Sequence, residues 1–298
     1  MDLYYYPGCT LKTTAKNFEI PALESIEKLG HKMIELPRWN CCGTVHSLAA
    51  DDLIHQLAPV RTLIRISETG SDKVVTLCAM CYNTLKQTNK IMLEDAEKRD
   101  RINNFLDEEK DYSGNVTVLH LLEFLRDEVG FDVIKQRIKR PLNGLKLSPY
   151  YGCLLLRPEG IGIDDIETPR VIEDFIEALG GKAVESPFNN ECCGSYHTVN
   201  DIEPVVERAK MIIDDMDNRG ADGIVVGCPL CFFNLDYRQK DVKSSYNDFN
   251  FKPIFYFTQL LAIALGLDEK ICDFDEHFVD PRPLLFSKKL VLGGQKRK

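Results

Sequence analysis

Ten of the eleven cysteines in this 298-residue chain belong to one five-cysteine pattern that occurs twice. Each copy holds a single cysteine, then a Cys-Cys-Gly triplet, then a Cys-x-x-Cys pair. The cysteines are Cys9, Cys41, Cys42, Cys78 and Cys81 in the first copy and Cys153, Cys192, Cys193, Cys228 and Cys231 in the second. Five thiols per copy exceed the four ligands of a tetrahedral zinc ion or a cubic iron–sulfur cluster. The surplus and its duplication predict a redox metalloprotein with two related metal centres.

The segments that would position these thiols also occur twice, over residues 1–140 and 145–270. In each copy, short apolar strand-like runs alternate with segments whose apolar residues recur every three or four positions, which is the spacing of a helix. This order is typical of an α/β sheet built from crossover units. We therefore predict an α/β fold of two pseudo-symmetric, Rossmann-like domains, each with a small, mainly parallel sheet flanked by helices. Residues 271–298 would form a C-terminal extension.

The cysteines stand where parallel strands are expected to end. The single cysteine and the Cys-x-x-Cys pair of each copy follow apolar strand-like runs, at Cys9, Cys78, Cys153 and Cys228. Each Cys-Cys-Gly triplet follows a short strand across a loop. In α/β sheets, ligands bind outside the carboxyl ends of the strands. All five thiols of a copy are therefore expected to converge at one edge of one sheet.

Four kinds of thiol chemistry compete for this pattern. Structural disulfides are disfavoured because adjacent cysteines form strained rings when they pair with each other. Zinc, in one copy or in both, would use four of the five thiols, as would a cubic 4Fe-4S cluster. A larger or irregular iron–sulfur cluster that uses all five thiols is favoured, because adjacent side chains suit neighbouring irons better than opposite corners of a cube.

The composition of the chain limits its possible binding partners and its possible cellular compartment. The net charge of -9 argues against nucleic acid as a partner, because phosphate binding needs a basic face. The N-terminus lacks a basic region followed by an apolar stretch, and the apolar segment around residues 260–267 is far shorter than the ~20 residues that span a bilayer. We expect a soluble, cytoplasmic protein with no direct membrane span. There, clustered cysteines usually mean metal binding or catalysis.

At these residues the chain resembles the cysteine-rich CCG domain family. The pattern C-x31–38-CCG-x33–34-C-x2-C, present twice, covers about nine-tenths of the chain. Within the family it is most similar to the B subunit of heterodisulfide reductase from methanogenic archaea. The resemblance implies two non-cubane 4Fe-4S clusters, each held by five thiolates. It implies an oxidoreductase that reduces the coenzyme M–coenzyme B heterodisulfide to two thiols.

The same resemblance implies two partner subunits. One is ferredoxin-like, and the other contains flavin and works with a hydrogenase or formate dehydrogenase. The chain contains no ferredoxin run of the C-x2-C-x2-C-x3-C type, so electrons would come from such a partner. The alternative function is an iron–sulfur electron-transfer subunit of a hydroxy-acid, glycerol 3-phosphate or succinate dehydrogenase complex. A structural zinc-holding scaffold is the third possibility.

Four further residues are candidates for roles beside the thiols. His46 and His197 each stand four residues after the second cysteine of a triplet and could supply protons near neutral pH. They could equally hydrogen-bond cluster sulfurs or the local backbone. Lys12 and Arg157 follow the first cysteine of each copy and could bind an anionic substrate, although either could instead be a solvated surface charge.

Overall fold

The computed structural model describes residues 2–43 and 53–292. In these residues the strands form two four-stranded sheets, with the orders β2-β1-β3-β4 and β6-β5-β7-β8. Every pairing within them is parallel. The strands are β1 (Asp2–Tyr5), β2 (Lys32–Glu35), β3 (Lys73–Thr76), β4 (Thr117–His120), β5 (Lys146–Tyr150), β6 (Lys182–Ala183), β7 (Gly223–Val226) and β8 (Ile254–Tyr256).

Helices connect the strands of the first sheet and cover it. They are α1 (Gly8–Leu11), α2 (Lys16–Lys28), α3 (Leu57–Glu68), α4 (Ala79–Glu94), α5 (Ala96–Phe105), α6 (Leu121–Phe124) and α7 (Phe131–Arg137), with a 3-10 turn at Leu53–Gln56 and a π-helical turn at Leu125–Val129. The connections between parallel strands are long enough to hold these helices, as crossover connections require.

The second sheet has a matching set of helices and a C-terminal extension. They are α8 (Val171–Ala178), α9 (Glu203–Asn218), α10 (Pro229–Phe232), α11 (Gln239–Ser245), α12 (Phe257–Ala264) and α13 (Arg282–Ser287), with a π-helical turn at Phe233–Tyr237 and 3-10 turns at Glu269–Cys272 and Phe274–Glu276. The same strand order in both sheets confirms the predicted α/β fold of two related repeats.

The strand sequences explain why both sheets are parallel and buried. Strand β7 reads GIVV and is buried at every position, and β3 reads KVVT and is buried after its first residue. Branched apolar residues suit a pleated surface that is covered on both faces. One continuous hydrophobic core runs through both repeats. The predicted division into separate domains at residues 140–145 stays a prediction.

Side chains from both repeats meet at the interface between the repeats, which we call the joint. The rings of Phe18 and Tyr256 stack with their centroids 4.1 Å apart. The hydroxyl of Thr258 donates to the carbonyl of Phe18 at 2.9 Å, and the hydroxyl of Tyr82 donates to the carbonyl of Ile161 at 2.7 Å. This joint fixes the carboxyl edges of the two sheets relative to each other.

The C-terminal extension packs back onto its own chain. The backbone N–H groups of Phe278 and Val279 donate to the buried carboxylate of Asp236 at 2.6 and 3.1 Å. The ammonium of Lys288 donates to the carbonyl of Gly144 at 2.6 Å, in the segment between the repeats. Within residues 2–43 and 53–292, no helix is long and apolar enough to cross a membrane.

Candidate metal centre

The carboxyl ends of the strands deliver the cysteines to one edge of each sheet, as the sequence predicts. Cys78 lies two residues after β3 and caps the N-terminus of α4, and Cys228 occupies the same position between β7 and α10. Two glycines make room for the thiols. A Cβ atom on Gly8 would lie 2.8 Å from the Cys81 sulfur, and one on Gly152 would lie 3.0 Å from the Cys231 sulfur. Both glycines also have positive φ, so a larger residue at either position would be strained.

All ten thiols form one continuous series of contacts. In the first repeat the sulfurs of Cys9 and Cys41 are 3.9 Å apart and those of Cys42 and Cys81 are 3.6 Å apart. Short-range side-chain interactions link the thiols in the order Cys9, Cys41, Cys42, Cys81, Cys78, Cys228, Cys231, Cys193, Cys192 and Cys153. The series crosses from one repeat to the other at the contact between Cys78 and Cys228. The two thiol sets therefore meet at the joint.

Burial decreases from the middle of this series towards its ends. The thiols of both Cys-x-x-Cys pairs are buried, Cys153 and Cys192 are partly buried, and Cys9 and Cys41 are exposed. The pKa of Cys41 is raised, first because of its hydrogen bond with Cys42 and then because of burial. The pKa of Cys192 is lowered, because Cys153 and Cys193 hydrogen-bond to it; the backbone N–H of Gly194, 3.3 Å from its sulfur, adds to this effect.

The donor set is chemically suited to a thiolate-bound metal centre. Among the residues that the structure describes, no group of three or more His, Cys, Asp or Glu side chains is arranged as the ligand set of a metal ion. The thiols of each repeat are nonetheless contiguous, and thiolates are the ligands of iron–sulfur clusters and of structural zinc. The space kept open by Gly8 and Gly152 lies directly against these sulfurs.

A cleft of about 540 Å³ opens beside the outer thiols of the second repeat. Its lining residues are Cys153, Arg157, Asn190, Glu191, Cys192, Gly194, Tyr196, His197 and Arg208. The guanidinium of Arg157 donates to the carbonyl of Asn190 at 2.8 Å, and that of Arg208 pairs with Glu191. Two guanidinium groups and one carboxylate leave the cleft wall with an excess of positive charge. Such a wall suits an anionic ligand that reaches Cys153 and Cys192.

The four predicted polar site residues differ in where they lie and in what they contact. It brings Arg157 and His197 together in the cleft, beside Cys153 and Cys192. Lys12 instead forms ion pairs with Glu19 and Glu35, both at 2.6 Å. His46 lies outside the described residues. The proposed roles of all four residues stay predictions.

Sequence reasoning missed Tyr196 and Arg208 in the cleft. Arg208 lies on α9 in a stretch of mixed charge, and its spacing from the cysteines carries no signal. The exposed ring of Tyr196 has its pKa raised by desolvation and by the nearby cysteine sulfurs. In the sequence, the position of Tyr196 two residues after the Cys-Cys-Gly triplet is the feature that indicates a place near the thiols.

Sequence reasoning also missed two buried residues at strand ends. His120 ends β4 and Tyr256 ends β8, so they occupy equivalent positions in the two repeats. Burial lowers the pKa of His120 to about 4. Burial is also the main cause of the raised pKa of Tyr256, to which Cys228 and Cys78 contribute. Alignment of the two repeats places both residues at the carboxyl edge, which was enough to single them out.

Comparisons with known proteins agree with the geometry. A family model described as a cysteine-rich domain, CCG, matches residues 3–86 and 148–236. The chain is 31% identical over 290 residues to a Wolinella succinogenes protein named 8-methylmenaquinol:fumarate reductase membrane anchor subunit, covering 95% of this chain and 99% of that one. It is 29% identical over 272 residues to the B subunit of the ferredoxin/F(420)H(2)-dependent CoB-CoM heterodisulfide reductase of Methanosarcina acetivorans, covering 89% of each.

A solved structure shares the fold. The crystal structure of a hypothetical protein from Helicobacter pylori matches with a TM-score of 0.73 and 14% identity. The match covers 92% of this chain and 51% of that one, so this chain corresponds to about half of it. At this identity the likeness supports the arrangement of strands and helices alone.

Proposed function

The chain belongs to the CCG family of cysteine-rich domains, and we propose that it is the catalytic iron–sulfur subunit of a disulfide reductase. In this proposal each repeat binds one non-cubane 4Fe-4S cluster through its five cysteines. An iron–sulfur cluster, when bound, accepts and donates single electrons. The observation that carries the proposal is the proximity of the two thiol sets, whose buried Cys78 and Cys228 hold equivalent N-cap positions and interact with each other.

Two adjacent one-electron centres suit the cleavage of a disulfide. The reaction consumes two electrons and two protons, breaks one sulfur–sulfur bond and releases two thiols. If the two centres lay far apart, they could not serve the two sulfurs of one bond together. The joint between the repeats holds the Cys-x-x-Cys pairs of both sets side by side, which supports a reaction shared by both centres.

Residues that line the cleft of the second repeat would bind the substrate and donate a proton to it. Arg157 and Arg208 would bind an anionic part of the substrate through charge-assisted hydrogen bonds. His197 lines the same cleft and would donate a proton to a departing thiolate. We propose that His46 does the same for the first repeat and that Lys12, which is paired with Glu19 and Glu35, makes at most a minor contribution to anion binding. The substrate that fits is a polyanionic disulfide, the coenzyme M–coenzyme B heterodisulfide.

Partner subunits complete the proposal. Because the chain contains no ferredoxin run, electrons would arrive through two further subunits. One would be ferredoxin-like, and the other would contain flavin and work with a hydrogenase or formate dehydrogenase. The relative from Methanosarcina acetivorans, named as one lettered subunit of a heterodisulfide reductase, supports an assembly of several subunits. Cytoplasmic localisation is part of this proposal.

A second function is an electron-transfer subunit of a fumarate reductase or related dehydrogenase complex. The observation that favours it is the relative from Wolinella succinogenes, which matches over 99% of its own length and is named a membrane anchor subunit of a methylmenaquinol:fumarate reductase. In that case, the same thiol sets would relay electrons between a quinol and a partner protein without cleaving a disulfide.

Metal analysis of anaerobically purified protein tests the common part of both proposals. Two 4Fe-4S clusters require about eight irons and eight acid-labile sulfides per chain. Two zincs without sulfide would overturn both and leave a structural scaffold. With the clusters present, reduction of the coenzyme M–coenzyme B heterodisulfide by a reduced viologen dye would support the first function. Cluster reduction by a menaquinol analogue, with no turnover of the disulfide, would support the second.

A further inference from the structure

The side chain of His120 touches the backbone of both repeats. The residue ends β4 and is completely buried. Its Nε2 atom lies 2.7 Å from the carbonyl oxygen of Leu77, and its Cε1 atom lies against Gly227, where an added Cβ would be 3.4 Å away. Leu77 and Gly227 hold the same position in the two repeats, directly before Cys78 and Cys228. One imidazole therefore contacts both of the turns that carry the Cys-x-x-Cys pairs, the first through a hydrogen bond and the second through packing.

The orientation of this ring is fixed from its other side. The backbone N–H of Leu122 donates to Nδ1 at 3.2 Å, so Nδ1 carries no proton and Nε2–H donates to the carbonyl of Leu77. The backbone N–H of His120 donates to the carboxylate of Glu123 at 3.2 Å, which closes the capping turn of α6. Both ring nitrogens are thus committed to backbone partners.

The equivalent position in the second repeat is held in another way. Tyr256 lies between two aromatic rings, with the Phe18 centroid at 4.1 Å and the Phe232 centroid at 4.2 Å. Stacking holds the Tyr256 ring in place but does not fix the position of a particular backbone carbonyl, as a hydrogen bond would. The His120 imidazole provides such a tie, and it reaches across the repeat boundary.

We propose that His120 is a positioning residue that sets the spacing between the two thiol sets by tying the turns before Cys78 and Cys228. This inference deepens the proposed function and rests on it, because the spacing matters where two centres act on one substrate. His120 takes no proton from the substrate and touches no reacting atom. It acts through the backbone of Leu77 and Gly227.

Replacement of His120 by leucine or by glutamine tests the tie. His120→Leu removes the donor, and the hydrogen exchange of both turn peptides, 77–81 and 227–231, should become at least tenfold faster. His120→Gln should restore most of the protection, because its side-chain amide can donate to the carbonyl of Leu77 and fills part of the space beside Gly227. His31→Gln is the matched control: His31 precedes β2, at the sheet edge opposite the cysteines, and its replacement should leave both turns unchanged.

The positioning role has its own readouts in the fully assembled complex. In His120→Leu, iron per chain should stay at the wild-type value while the spin–spin coupling between the two centres changes in the EPR spectrum. Turnover should fall at least tenfold, and KM should stay within twofold. Gly227→Val provides a second variant, because a Cβ atom at this position would already contact His120 Cε1 at 3.4 Å, so the two further methyl groups would have to displace the ring. It should shift the coupling in the same way.

The outcomes separate this inference from the proposed function. Unchanged exchange in both turns of His120→Leu, or unchanged coupling in both His120→Leu and Gly227→Val, would overturn the positioning role. Absence of iron–sulfur centres from the wild-type protein would overturn the proposed function instead. In that case the exchange of the two turns would still decide whether His120 ties them, because that measurement needs no metal.

Discussion

The two repeats share a sheet order and a set of five thiols, yet they present their outer thiols in different surroundings. Cys9 and Cys41 of the first repeat are exposed, whereas Cys153 and Cys192 of the second are partly buried. Only the second pair lines the cleft of about 540 Å³ described above. Among the described residues, the positions that hold the thiols are preserved between the repeats, while the contacts of the polar side chains around them have diverged.

The cation that follows the first cysteine of each repeat illustrates this divergence. Lys12 is held by two carboxylates, those of Glu19 and Glu35. Arg157 donates to one backbone carbonyl, that of Asn190, and lines the cleft. The first cation is neutralised within its own repeat, and the second keeps its charge for a ligand. In the proposed function, substrate recognition by the second repeat would therefore follow from the side chains around its thiols and not from the thiols themselves.

Removal of one thiol from each repeat should have the largest effect. Cys9→Ser and Cys153→Ser should each lose the cluster of their own repeat, so about half of the iron and sulfide should remain. Turnover of the disulfide should fall by a factor of about 100 or more in both, because two electrons are needed per bond. Iron analysis and a steady-state assay measure these effects.

Cys272→Ser is the control for the thiol variants. Cys272 is buried with its sulfur 3.8 Å from the carbonyl of Gln259, outside both thiol sets. Its replacement should leave iron content and turnover at the wild-type values. Full turnover in either Cys9→Ser or Cys153→Ser would mean that one repeat suffices for the reaction.

Replacement of His197 should have the next largest effect. His197→Gln removes the imidazole from the cleft and should slow turnover by about 100-fold, the lower end of the range for general acids. Iron content and KM should stay unchanged, because glutamine keeps the size and polarity of the side chain. His31→Gln serves as the control. Unchanged turnover, with an unchanged dependence on pH, would remove His197 from the reaction.

Paired replacement of the two cations tests the difference between the repeats directly. Arg157→Gln should raise KM about tenfold, a loss of about 1.4 kcal/mol in binding, with little change in kcat. Lys12→Gln should change KM less than twofold, because its charge is already engaged by Glu19 and Glu35. Equal effects of the two substitutions on KM would show that both repeats contact the substrate.

The fold was predictable because its signals are local. The runs before Cys78 and Cys228 are apolar and β-branched, and each is followed by a Cys-x-x-Cys turn, so strand ends and thiols could be placed from spacing alone. The repeat doubled the evidence, since each segment could be checked against its counterpart. The convergence of five thiols at each sheet edge follows from parallel strand order.

The residues that line the cleft could be predicted only in part, because tertiary contacts determine which side chains reach it. Nothing in the sequence shows that Glu19 and Glu35 engage Lys12, since Glu35 lies 23 residues away on another strand. Arg208 reaches the cleft from a helix whose charges are otherwise those of a solvated face. The reach of His120 across the joint depends on how the repeats pack, which spacing does not encode.

A buried tyrosine–glutamate pair near the first strand of each repeat gives the smallest and most specific test. In the first repeat, Tyr5 donates to Glu19 at 3.1 Å, and Lys12 neutralises that carboxylate. In the second, Tyr151 donates to Glu173. Burial raises the pKa of the Glu173 carboxyl from 4.5 to about 6.

The raised pKa of Glu173 sets the sign of a pH effect on stability. The folded chain holds this proton more tightly than the unfolded chain, so between about pH 4.5 and pH 6 the folded state binds more protons. The free energy of unfolding contributed by Glu173 therefore falls as the pH rises through this window and stays low above it.

Glu173→Gln has no proton to lose, so the stability of the wild-type protein relative to this variant should decline from pH 4.5 to pH 6. Thermal unfolding midpoints of both proteins, measured across that range, test this, with Glu185→Gln, an exposed carboxylate of the same face, as the control. Parallel profiles for the wild-type protein and Glu173→Gln would mean that this carboxyl has the same pKa in the folded and unfolded chains, and that contacts in the second repeat offset the effect of burial.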